Sequence, residues 1–273
     1  MHDAIPEPPG GAAARTLADG RRDLLVREEP LLLVVHGQQL LTMRTPGQDD
    51  DLALGFLLGE GLVAAADDVV ATESVPGDAE ARRADELHVT LRRPPGELQR
   101  QRLARTHEIR SSCGVCGLAD VSTMLDALPP LLPGVPKFAP ARIAELLTRL
   151  AERQELFALT GGCHGALVAA AEPGGPVFGC GEDVGRHNAL DKAIGQAARA
   201  GADFPRCVAV LSGRAGYDLV VKCLRVRLPV IASVSAPSAL AFDLCHAAGA
   251  TLLGFARGER HAVYCGAERL LGG

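Results

Sequence analysis

The chain has 273 residues, 47% hydrophobic and 22% charged, a globular balance that argues against a largely disordered protein. Its length suits one large domain or two modest ones. A net charge of −5 speaks against general nucleic-acid binding, and no run of about 18 apolar residues offers a membrane span.

Residues 1–22, rich in Ala, Gly and Pro, read as a flexible arm. They lack a basic stretch ahead of an apolar core, so no secretory signal is expected; the expected location is cytoplasmic, where disulfides are rare. Leu31 to Arg44 reads as a hairpin turning at His36-Gly37-Gln38-Gln39. Asp49, Asp50 and Asp51 precede LALGFLLGEG, a short helix with acids at its start and Gly61 at its end. From Glu86 to Arg92, His88, Thr90 and Arg92 alternate with Leu87, Val89 and Leu91, as in a half-buried strand. A helix is expected around 97–105, then the loop Ser-Ser-Cys-Gly-Val-Cys-Gly and Ala119 to Leu128. PPLLPGVP at 129–136 is a linker, and Ala141 to Arg153 an amphipathic helix.

Beyond residue 155 short apolar runs alternate with helical ones. The expected elements are strand Ala166–Ala171, helix Asn188–Ala200, strand Cys207–Leu211, helix Tyr217–Arg227, strand Val230–Ser233, helix Ser238–Ala248 and strand Thr251–Phe255. Strands spaced by such helices indicate an α/β fold, its mixed or parallel sheet covered by helices on both faces. The division expected is an N-terminal α+β part at 23–130, carrying the cysteine loop, and an α/β domain at 137–273.

Of eight cysteines only Cys113 and Cys116 form a close pair; the other six read as buried or strand-end thiols. A C-x-x-C pair can share a metal or exchange a disulfide, but no second such pair exists to complete a structural zinc site. No H-x-E or P-C-x-x-C deaminase signature is present either. Gly114 and Gly117 suit a mobile loop. From Arg82 to Arg110 eight arginines face four acids, a local excess that favours a thiolate. Reactive thiol, metal ligand and structural pair all remain open from this loop alone.

Four polar turns sit where strands and helices meet. They are Thr160 to Gly165 (with Gly161, Gly162 and His164), Gly181 to Asn188 (with Glu182, Asp183, Gly185, Arg186 and His187), Ser212-Gly213-Arg214, and Ser233 to Ser238 (with Ser235). Helix N-termini with Gly and Ser admit anions, and such loops gather at the carboxyl ends of strands in an open α/β sheet. Pro237 suits a first helical turn. Glu182, Asp183 and Asp191 would accept hydrogen bonds from a base or ribose, or orient Arg186 and His187. No G-x-G-x-x-G or Walker pattern occurs. Taken alone, the turn Phe255-Ala256-Arg257-Gly258-Glu259-Arg260 reads as a solvated hairpin. Only three lysines occur, Lys137, Lys192 and Lys222, so each position is notable.

The segments LALGFLLGEGLV, SSCGVCG, FALTGGCHGA, EDVGRHNALDKAIG, LSGRAGYDLVVKCL, LPVIASVSAPSALA and GFARGERHAVY, in this order, resemble the formate dehydrogenase accessory sulfurtransferase family, FdhD. The resemblance implies a sulfurtransferase acting as a sulfur carrier. It would take persulfide sulfur from a cysteine desulfurase and pass it to the molybdenum bis(molybdopterin guanine dinucleotide) cofactor of the formate dehydrogenase catalytic subunit. It further implies a cytidine-deaminase-like main domain without the zinc site, no metal of the protein's own, and a homodimer. Cys113 matches the persulfide-bearing cysteine, Cys116 the second thiol, and Phe255 to Arg260 the cofactor-contact segment. Adding Lys192 and the junction residues Gly161, Gly162, His164, Glu182, Asp183, Gly185, Arg186, His187, Asn188, Asp191, Ser212, Gly213, Arg214 and Ser235 as cofactor contacts is an inference from the junction argument. The chain departs from the family at Cys163, Gly216 and Asp218. The alternative is a cofactor-binding chaperone without sulfur transfer; a zinc deaminase is a weaker rival.

Overall fold

The computed structural model describes residues 9–78, 83–97, 99 and 128–271. Most of the expected helix at 97–105, the C-x-x-C loop and most of 119–128 lie outside the described residues. Strand β1 (Ala12–Thr16) pairs antiparallel with β2 (Arg22–Val26), so the expected arm is ordered strand over part of its length. Composition suggested looseness, but the backbone groups of 12–16 find a paired strand across a turn at 17–21. The expected hairpin is β3 (Glu29–Val35) and β4 (Gln38–Arg44), turning at His36 and Gly37, both at positive φ.

Helix α1 (Asp49–Gly59) follows, then β5 (Val69–Val75) and β6 (Asp85–Leu91). These strands form a four-stranded sheet in the order β4-β3-β6-β5. Period-two alternation turns Leu31, Leu33, Val35, Leu87, Val89 and Leu91 to one face, where α1 covers them.

Next come helices α2 (Pro140–Arg153) and α3 (Glu155–Thr160), then β7 (His164–Ala170) and β8 (Val177–Asp183). The chain continues through α4 (Arg186–Arg199), β9 (Cys207–Leu211), α5 (Tyr217–Arg225), β10 (Val230–Ser233), α6 (Ala239–Ala247), β11 (Thr251–Arg257) and β12 (Arg260–Cys265). The elements expected here are present; β8 was anticipated only as a strand end at Cys180 and not as a full element, because Gly179 and Gly181 interrupt its apolar pattern. Each of those glycines lets α4 lie against β8: a Cβ at Gly179 would meet Ala193 O at 2.1 Å, and one at Gly181 Ala189 O at 2.3 Å.

The main sheet has six strands in the order β12-β11-β10-β9-β7-β8. Strands β9, β10 and β11 are parallel, β7 is antiparallel to β8 and β9, and β12 is antiparallel to β11. Successive residues of β7 and β9 enter opposite clusters: Ala166, Val168, Cys207 and Ala209 with α4, α5 and α6, against Leu167, Ala169, Val208 and Val210 with α2. Both faces are therefore covered, and each buried Leu or Val contributes about 1.5–3 kcal/mol relative to exposure. The first cluster also contains α1 and the N-terminal sheet, so one core runs through both halves of the chain. At the α1–α4 crossing a Cβ on Gly55 would sit 1.7 Å from Asp191 O, and one on Gly195 2.0 Å from Asp51 O. Among the described residues no helix is long and apolar enough to cross a membrane.

Candidate functional site

Four junctions meet at one edge of the main sheet because β7 runs against both β8 and β9, which places its start beside their ends. Gly165 N–H donates to Ser212 Oγ (2.8 Å), and Gly165 O accepts from Ser212 N–H (2.9 Å). Ser233 Oγ donates to Gly213 O (2.6 Å), and Phe255 N–H donates to Ser235 O (3.1 Å). His164 pairs in register with Asp183. Gly161, Gly162, His164, Ser212, Gly213, Arg214, Ser235 and the start of the 255–260 hairpin thus share one strand-end surface.

A pocket of about 390 Å³ opens there, lined by Gln154, Phe157, Gly161, Gly162, Cys163, His164, Ser212 and Val234. Burial, with the charges of Arg186 and His187, lowers the His164 pKa, so its imidazole is neutral at pH 7. Cys163 is pushed up to about 11 by burial and by Glu182 and Asp183, which makes it a protonated, weakly nucleophilic thiol. Gly213 leaves room for the imidazole, since a Cβ would meet His164 Nδ1 at 3.3 Å. A second cavity of about 380 Å³ lies beside β8, reached by Gln48, Arg153 and Cys180. Burial likewise raises the Cys180 thiol to about 11.

The expected acidic contacts are mostly engaged by the protein itself. Asp183 is fully buried and accepts from Thr45 N–H (3.0 Å), Gly185 N–H (2.9 Å), Asn188 Nδ2 (3.2 Å) and the Lys192 ammonium (2.8 Å). Its carboxylate therefore serves the start of α4, the place offered to a phosphate by sequence. Glu182 accepts from Leu156 N–H and Phe157 N–H, both at 2.9 Å, holding the start of α3. Asp191 is buried against Lys222, whose ammonium lies 2.9 Å from both carboxylate oxygens and 3.2 Å from Glu60. Lys192 also donates to Thr45 O and Glu182 O. Asp183, Asp191 and Lys192 are at most 2% exposed. Each charge has an opposite charge beside it within the protein, which gives all three a structural role, and Lys192 also lines the second cavity. Asn188 is likewise tied to Met43 O (2.7 Å).

Other expected residues remain available. His187 hydrogen-bonds Asp218, and Arg186 lies 3.7 Å from the same carboxylate. Burial works against an ionised Asp218, but the His187 hydrogen bond and nearby positive charges hold its pKa below the usual value. Arg186 Nε is buried with no partner among the described residues. Arg214, Arg257, Glu259 and Arg260 are exposed, and the three arginines form no ion pair among the described residues. Phe255 is 51% exposed at φ 51°, a left-handed backbone that turns an aromatic ring outward. Ala256, by contrast, points into the α2-side core. One placement differs from the sequence reading: Pro237 precedes the Ser238 cap, whose Oγ accepts from Ala241 N–H. Helix α5 opens at Tyr217, as expected. Cys113 and Cys116 lie outside the described residues. Gln154 and Phe157 were not singled out from sequence, since a Gln and an apolar residue near a helix carry no binding signature. Among the described residues no three His, Cys, Asp or Glu side chains gather as a metal site.

A family model described as "FdhD/NarQ family" matches residues 26–271. The chain belongs to that family. It is 43% identical to the "Sulfur carrier protein FdhD" of Anaeromyxobacter dehalogenans (strain 2CP-1 / ATCC BAA-258), over 96% of this chain and 95% of the relative. It is 41% identical to the protein of that name from Nocardia farcinica, over 92% of this chain and 89% of the relative. A crystal structure of a protein assigned as a formate dehydrogenase accessory protein, from Desulfotalea psychrophila, aligns with TM-score 0.70, covering 95% of this chain and 98% of that one. At 23% identity that likeness shows the fold alone. In this member of the FdhD/NarQ family, the resemblance read from the sequence segments is therefore shown across the chain.

Proposed function

We propose that this protein is a sulfur carrier serving formate dehydrogenase. Cys113 thiolate attacks the persulfide of a cysteine desulfurase and becomes a persulfide, releasing the donor's thiol. The terminal sulfur then passes to the molybdenum bis(molybdopterin guanine dinucleotide) cofactor, which is the carrier's bound substrate, and Cys113 returns to the thiolate. Cys116 shields or accepts sulfur at the neighbouring position. The single observation that carries the cofactor half is the convergence of the junctions, the exposed Phe255 and the unpaired Arg214, Arg257 and Arg260 on one strand-end surface. Such a surface suits a flat base joined to a pyrophosphate. The names of the relatives support the sulfur half. A cytidine-deaminase-like main domain without the zinc site, cytoplasmic location and a homodimer belong to the same proposal.

The test is mass spectrometry of the chain after incubation with desulfurase and cysteine. A mass gain of one sulfur atom on Cys113 is expected, with loss of both that adduct and dehydrogenase activation in Cys113→Ala. Full activation by Cys113→Ala would instead establish a cofactor-binding chaperone without sulfur transfer.

A further inference from the structure

We propose that Cys245 and Cys265 form an oxidative modification site, at which a hydroperoxide converts a buried thiol pair into a disulfide tying α6 to the edge strand β12. Both residues flank Ala250, in the turn between α6 and β11. Ala250 N–H donates to Cys245 O (2.8 Å), and the Cys265 thiol donates to Ala250 O (3.5 Å). The Cys245 thiol in turn donates to the Cys265 sulfur, so the two side chains are in direct contact. They share the larger apolar cluster, Cys245 with no exposure and Cys265 at 8%. The strand register sets Cys265 opposite Leu252, at the base of the β11–β12 hairpin.

The pair is polarised, which assigns the order of events. Hydrogen bonds from Cys245 and from Leu252 N–H hold the Cys265 pKa below the ordinary thiol value, against the effect of burial. Cys245 is raised by donating that bond and by its own burial. The other described cysteines are raised as well, Cys163 and Cys180 to about 11 and Cys207 and Cys223 to about 12. Cys265 is therefore the one described thiol favoured as a thiolate, and it is the member of the pair nearer to solvent. With hydrogen peroxide, the Cys265 thiolate attacks one oxygen and the O–O bond breaks. Hydroxide leaves, takes a proton as water, and Cys265 is a sulfenic acid. The Cys245 sulfur then attacks Cys265, the S–O bond breaks, and the second oxygen leaves as water with the Cys245 proton. Two thiols and one peroxide give one disulfide and two waters, with two electrons passing from sulfur to oxygen. The new bond fixes the base of the hairpin whose turn carries Phe255, Arg257 and Arg260.

Peptide mapping of the full chain after treatment with hydrogen peroxide and alkylation tests the site. Trypsin should release residues 228–257 and 261–269, each holding one cysteine, as a single linked species lighter than their sum by two hydrogen atoms. Dithiothreitol should separate them. Cys245→Ala should abolish the link and let Cys265 go on to the sulfinic acid, a gain of two oxygen atoms. Cys223→Ala removes a neighbouring buried thiol and should form the link like the parent, which separates loss of the pair from loss of packing. Amide hydrogen exchange at residues 251–265 should slow by roughly 10-fold on oxidation, because the hairpin base can no longer open away from α6. The site is overturned if both peptides are recovered alkylated and unlinked, or if either one is instead linked to Cys223. Hairpin exchange that is equal in the reduced and linked forms would overturn the tie between α6 and β12.

Discussion

Lys192 and Lys222 are the two lysines that the sequence segments contain, and both are buried beside carboxylates. A compact ammonium with three donors satisfies Thr45 O, Glu182 O and Asp183 around Lys192, a geometry that a planar guanidinium would not fill. Lys222 balances Asp191 and Glu60 together. Lys222→Met should leave Asp191 uncompensated, Glu60 keeping Arg225 at 2.9 Å, and destabilise the fold by roughly 3–5 kcal/mol, measured by urea denaturation. A loss within experimental error of zero would mean that Asp191 is neutral in the folded protein. The pH dependence of Asp191 is also testable. Burial raises its carboxyl from 3.8 to about 6 against the opposing pull of Lys222. Between those values the unfolded chain has released a proton that the folded chain keeps, so this group lowers stability as pH rises through the window. Glu60 and Asp218, with lowered pKa values, act in the opposite sense and below their ordinary values of 4.5 and 3.8. From pH 4.5 to 6 the Asp191→Asn variant should therefore show a smaller fall, or a larger rise, in Tm than the parent. Parallel Tm curves would refute the shift.

Helices α1 and α4 cross with their backbones in contact, each contributing one glycine to the crossing. Gly55→Ala or Gly195→Ala must push the helices apart, with overpacking costs of about 1–3 kcal/mol or more. The expected result is a lower denaturation midpoint at unchanged slope, and a midpoint equal to the parent's would contradict the crossing. The glycines were visible in LALGFLLGEG and NALDKAIG, where a helical glycine reads only as a weak spot. Their partners, Asp191 and Asp51, are over 130 residues away, so the reason for them is not local. Strand β8 was legible only as a strand end at Cys180 for the same cause, since Gly179 and Gly181 answer to α4. By contrast β9 and β10 were legible to the residue, because continuous apolar runs of four or five β-branched and small residues have few other uses in an α/β fold.

Across the whole molecule the mild negative charge conceals a strand-end surface where Arg214, Arg257 and Arg260 stand without ion-pair partners among the described residues. Arg257→Gln should weaken GDP and pyrophosphate binding alike, by roughly 10-fold if one charge-assisted contact is lost, and should flatten the salt dependence of that binding. An unaltered salt dependence would place the phosphates elsewhere. The chain order and type of the main-sheet elements other than β8, the both-face coverage, the family and the polar junctions were determined by sequence alone, because periodicity, capping and motif spacing are local properties. Which junction side chains are open to a ligand was decided only by the tertiary structure. Asp183, Asp191 and Lys192 look like ligand contacts in one dimension, but folding places an opposite charge or a backbone donor within hydrogen-bond reach of each. Gln154 and Phe157 look ordinary in one dimension, and folding leaves the first without a side-chain hydrogen bond among the described residues and the second exposed at the same pocket. Burial and partnership depend on residues distant in sequence, and those two quantities separate a group that holds the fold from one that can hold a ligand.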